Sequence, residues 1–64
     1  MRNFEIVVSL YDRRGKVYAR RAIGFAASDM AEARMLAPRE ARHYGVDSQA
    51  FAWQIQKLRD IAED

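Results

Sequence analysis

The chain has 64 residues, with 11 Lys and Arg against 9 Asp and Glu, one histidine, no cysteine and a formal net charge of +2. Disulfides and thiolate zinc sites are therefore excluded, His43 has no histidine partner for a metal, and no apolar run approaches the ~20 residues of a membrane span. A chain of this length forms one small domain over 1–64 that buries only about 60% of its unfolded surface, so self-association is the simplest further source of stability.

The opening "MRNFEIVVSL" is too short and too acidic for a signal peptide, and a cysteine-free chain suits a reducing compartment, so the sequence predicts a soluble cytoplasmic protein. Phe4, Ile6, Val8 and Leu10 alternate with Glu5, Val7, Ser9 and Tyr11. A period of two with branched and aromatic residues marks a half-buried strand. "KVYARRAIGFA" answers it, with Val17, Ala19, Arg21, Ile23 and Phe25 on one side and Lys16, Tyr18, Arg20, Ala22 and Gly24 on the other. "DRRG" between them reads as a four-residue loop in which Asp12 opens the turn and Gly15 takes a left-handed conformation. Pairing Tyr11 with Lys16 sets the apolar sets of both strands on one face.

"ASDMAEARMLAPREARHYG" is a helix. Ser28 or Asp29 caps it, Asp29 with Glu32 fits a capping box, and Met30, Ala33, Ala37, Ala41 and Tyr44 form a narrow stripe for the sheet. Gly45 reads as its stop, and Pro38 predicts a bend or a split near Ala37. The last segment is open to two readings. Phe51, Trp53 and Ile55 alternate as in a strand over about 51–58, whereas Phe51, Ile55, Leu58 and Ala62 fit a helix. Because a lone hairpin is unstable, the strand is favoured. The expected fold is α+β: a three-stranded antiparallel sheet with one kinked helix on one face (ββαβ), with ββαα as the alternative.

Catalytic, cofactor and metal sites are not expected. Ser9 falls in a strand, Ser28 at a cap and Ser48 in a turn, so none stands beside a base. His43 falls near a helix C-terminus, where a partly charged imidazole suits the dipole. Asp60, Glu63 and Asp64 read as a solvated tail with no loop to shape a cation site. Gly15, Gly24 and Gly45 are too scattered to cradle phosphate, and no small-molecule substrate is implied.

The remaining feature is "LYDRRGKVYARR", in which Arg13, Arg14, Lys16, Arg20 and Arg21 surround one glycine. The expected contact residues are Tyr11, Arg13, Arg14, Lys16, Tyr18 and Arg20. On a bare sheet face Val7, Tyr11, Tyr18 and Ala22 would give an apolar patch, with tip arginines to match an acidic protein or a second copy. The same face offers an alternative, a sequence-tolerant nucleic-acid binder whose tyrosines stack bases while guanidiniums hold phosphates. Trp53 reads as a core anchor. The order of hairpin, "AASDMAEARMLA" helix entry and closing aromatic strand resembles small phage-encoded accessory proteins, some of which block host or defence machinery by direct binding. That resemblance implies a non-catalytic binder or inhibitor and assigns no functional residue.

Overall fold

The computed structural model describes residues 1–61. Strand β1 (Arg2–Tyr11) and strand β2 (Val17–Ala27) form a hairpin, helix α1 (Met30–Glu40) runs into a π-helical turn over Ala41–Gly45, and strand β3 (Ala52–Asp60) closes the chain. The antiparallel sheet has the order β2-β1-β3, so the first strand is central and the last segment is a strand, not the alternative helix. Residues Ala62, Glu63 and Asp64, part of the expected helical alternative and acidic tail, lie outside the described residues.

Period two places the core. Phe4, Ile6, Val8 and Leu10 of β1 are fully buried, each contributing about 1.5–3 kcal/mol of apolar burial. Ile23 and Ala27 of β2 join them, with Ala33, Ala37 and Ala41 from the helix. Trp53, Ile55 and Leu58 pack in from β3, which makes Trp53 the half-buried anchor that its alternation implied. A stripe of alanines lets the helix lie close to the sheet.

The hairpin register differs from the expected one by two residues: Phe4 faces Phe25 and Ile6 faces Ile23. A two-residue slip keeps every side chain on its face, so the apolar pattern cannot detect it. Two local features set it. The loop is one residue shorter than expected, spanning Arg13 to Gly15 between the Asp12 amide and the Lys16 carbonyl (2.8 Å). A bulge follows, because Leu10 faces Ala19 and Tyr11 faces Val17, leaving Tyr18 as the extra residue.

The helix begins as the sequence implied. Asp29 Oδ1 accepts from the Glu32 amide (2.8 Å), and Glu32 Oε1 accepts from the amide of Ser28 (2.6 Å), one residue before the cap. Pro38 sits inside α1, where it donates nothing to the Arg34 carbonyl, and the chain beyond it widens into the π turn. In that wider turn each residue advances by less than the 100° of an α-helix. Gly45 therefore falls in line with Ala41 against the sheet, and Tyr44 swings out to 67% exposure. This corrects one expectation, because Tyr44 leaves the inward stripe; the helical segment does end at Gly45, though not in a left-handed conformation. Gly45 serves close approach instead, since a Cβ there would lie 2.5 Å from Ile23 Cδ1 and 3.4 Å from Val8 Cγ2. Among the described residues no helix is long and apolar enough to cross a membrane.

Candidate binding surface at the hairpin end

The hairpin tip is built by Asp12. Its Oδ1 accepts from the amides of Arg14 (2.9 Å) and Lys16 (3.0 Å), while its carbonyl accepts from Gly15 N (3.0 Å). Gly15 closes the turn at φ +82°, the left-handed conformation its position implied. With the Asp12 carboxylate committed to the turn, Arg13, Arg14 and Lys16 project from a fixed backbone. The side chains of Arg14, Lys16 and Arg20 have no hydrogen bond or ion pair among the described residues.

The sequence reading missed the residue that completes this end. Phe51, counted there only as one position of a strand or a helix pattern, precedes β3, and its amide donates to the Tyr11 carbonyl (2.9 Å). Its ring stays 66% exposed, with the Arg13 guanidinium carbon 6.0 Å from its centroid. A shallow depression of about 380 Å³ beside it is lined by Asp12, Arg13, Arg14 and Gln49.

Tyr11 lies on the sheet face away from the helix, as expected. Its hydroxyl donates to Gln54 Oε1 (3.1 Å) and accepts from Gln56 Nε2 (3.3 Å), so the phenol belongs to a polar cluster. Arg20 is on the same face, opposite Ser9. Ser9 is 1% exposed, and its Oγ has no hydrogen-bond partner among the described residues. Farther along, Arg59 Nε donates to Glu5 Oε1 (3.0 Å). This face is left bare by the helix and by β3, but it is more polar than the expected apolar patch. Val7 sits between Ala22 of β2 and Lys57 of β3.

Tyr18 is not on that face. The bulge redirects it, and its hydroxyl donates to Asp47 Oδ1 (2.8 Å), while Arg21 donates to Asp47 Oδ2 (3.2 Å). Asp47 Oδ1 also accepts from the Gln49 amide (3.0 Å), so one carboxylate joins the exit of the π turn to β2. Partial desolvation, followed by the bond to Asp47 and the charge of its carboxylate, holds the Tyr18 phenol above its ordinary pKa. The Tyr18 hydrogen bond, with smaller help from the Gln49 amide and Arg21, holds the Asp47 carboxyl below its own, against desolvation.

The six sequence-derived contact residues thus divide. Arg13, Arg14 and Lys16 share the tip with Phe51, Tyr11 and Arg20 lie along the bare face, and Tyr18 belongs to the Asp47 cluster. His43 stacks edge-on against Tyr44 at 5.1 Å near the end of the helical segment. No family model, no curated protein and no solved structure matches the chain.

Proposed function

We propose that the protein is a non-catalytic binder that engages an acidic protein surface with its hairpin end. The observation that carries this reading is the Arg13 guanidinium over the exposed Phe51 ring, beside the cations of Arg14 and Lys16, which have no ion pair among the described residues. Aromatic and arginine side chains dominate interface energies, and a turn fixed by its own carboxylate loses little freedom on binding. Tyr11 and Arg20 extend the contact along the bare sheet face. A blocking role, of the kind some phage-encoded accessory proteins play, and a cytoplasmic setting belong to the same proposal. Supporting them are the exposed Arg13–Phe51 tip and a cysteine-free composition.

The nucleic-acid alternative uses the same cations. It is weakened by the departure of Tyr18, which removes one of the two rings expected to stack bases. A photo-reactive phenylalanine at position 51 tests the choice, with the same group at Met35, exposed on α1, as the control. The expected result is capture of a discrete acidic protein from source-cell lysate at position 51 alone, lost with Arg13→Ala and Arg14→Ala. Equal capture at both positions, capture of nucleic acid, or none overturns the protein-contact reading.

A further inference from the structure

We infer that the outer edge of β2 pairs with the same edge of a second copy, joining two three-stranded sheets into one of six strands. The ladder geometry identifies which groups that edge offers. The Asp12 amide reaches Lys16 across the hairpin, while the carbonyls of Tyr11 and Asn3 accept from Phe51 and Ile61 on the other side. Even-numbered residues of β1 therefore turn their backbone toward β2, and odd ones toward β3. On β2 their partners are Ala19, Arg21, Ile23, Phe25 and Ala27. The amides and carbonyls of Arg20, Ala22, Gly24 and Ala26 consequently point away from the sheet.

The stretch of that edge beyond Arg21 carries none of the usual guards against pairing. Folded proteins blunt exposed edges with lysine, proline, bulges or short strands. "AIGFAA", residues 22–27, has no charge, no proline and no bulge, and its outward-facing positions are alanine, glycine and alanine. The opposite edge of the sheet is blunted: β3 carries a bulge where its register slips between Val7 and Val8, beside Lys57. The two edges of one sheet are thus treated differently.

Three features favour a second copy as the occupant. An antiparallel twofold centred on Ile23 pairs Ala22 with Gly24 and Arg20 with Ala26. It uses all four outward residues and stops short of the bulge at Tyr18. Each of these pairs can exchange two hydrogen bonds. Beside the edge runs an open groove of about 570 Å³, lined by Ala22, Gly24, Phe25, Glu40 and Tyr44 among others. The twofold brings the two exposed Tyr44 rings together there. Charge is also complementary on the helix side: Arg21, which gives one guanidinium nitrogen to Asp47 of its own copy and has further donors, lies opposite Phe25 of the second copy, whose groove carries Glu40. The pairing leaves the Arg13–Phe51 end uncovered in both copies, so it stands or falls apart from the binding role above.

Sedimentation over a concentration series, with amide hydrogen exchange on the same samples, tests the pairing. The expected result is a dimer of the 7.4 kDa chain in which the amides of Arg20, Ala22, Gly24 and Ala26 gain protection as concentration rises, while those of Trp53 and Ile55 do not. Total synthesis with an N-methyl group on Gly24 removes an outward donor that β1 does not use. It should raise the dissociation constant at least about tenfold with an unchanged circular dichroism spectrum. Ala22→Lys, at an exposed position, should do the same without altering the backbone. A monomer at every concentration overturns the inference. So does a dimer that survives both changes, or one whose edge amides exchange as freely as in the dilute sample.

Discussion

Gly45→Ala tests how the π turn meets the sheet. The added methyl would sit 2.5 Å from Ile23 Cδ1, about 1–1.5 Å inside ordinary carbon contact, and 3.4 Å from Val8 Cγ2. Val8 is fully buried in the central strand and has little room to yield. Ile23 Cδ1 is the end of a side chain that borders the β2 groove, so the relief must come from Ile23. Overpacking of this size costs about 1–3 kcal/mol, against about 1 kcal/mol recovered by replacing glycine within a helical segment. The net loss should be about 1 kcal/mol, a fall in Tm of about 4–8 °C for a domain this small. Ile23→Val removes the clashing carbon and by itself costs about 0.5–1.5 kcal/mol. In the double variant the clash is gone while the gain from replacing glycine remains, so the two losses should fall short of additivity by the overpacking cost itself, about 1–3 kcal/mol. Urea and thermal unfolding of all four proteins provide the measurement. If Gly45→Ala raises Tm, or the two losses simply add, Gly45 is not retained for close approach.

Ser9→Ala should be neutral or stabilise by up to about 1 kcal/mol, because it deletes a buried hydroxyl with no partner among the described residues; clear destabilisation in urea would show that the hydroxyl is satisfied. Asp47→Asn should flatten the acid limb of stability. The folded carboxyl lies below its ordinary value of 3.8, so its contribution is complete above that pH and is lost as pH falls through the folded value. Parallel loss in wild type and variant as pH falls from about 5 to about 2 would contradict this. At the alkaline end the sign reverses: Tyr18 is raised above 10.0, so its contribution holds below that pH and is lost as pH rises through the folded value. Tyr18→Phe should remove a late-titrating component from the ultraviolet titration, and a late component that persists unchanged would contradict this.

Side-chain alternation made the faces of β1 and β2 legible, and instability of a lone hairpin selected a strand for the last segment. Register was not legible, since a slip of two residues leaves the apolar pattern intact and only the short loop and the bulge fix it. That same bulge moved Tyr18 off the face that strict alternation gave it. Arg21 stood among the inward residues of β2, and its partner Asp47 lies in a connection that no periodicity marks. Phe51 is 38 residues from Arg13 along the chain, so the pairing that creates the candidate binding end depends on β3 docking beside β1. The close approach at Gly45 was hidden for a related reason: it depends on a helix widening, and Pro38 signalled only a disturbance.

The strand order has a consequence for synthesis. β1 is made first, yet one of its flanks is completed only by residues near the opposite terminus, where Phe4 meets Asp60 and Glu5 meets Arg59. While the ribosome still holds the last strand, the emerged hairpin and helix present a half-finished sheet whose middle strand has one naked side. Stable folding must therefore wait until β3 has emerged, and a nascent chain stalled before residue 52 would be a target for proteases or for a neighbour's spare strand.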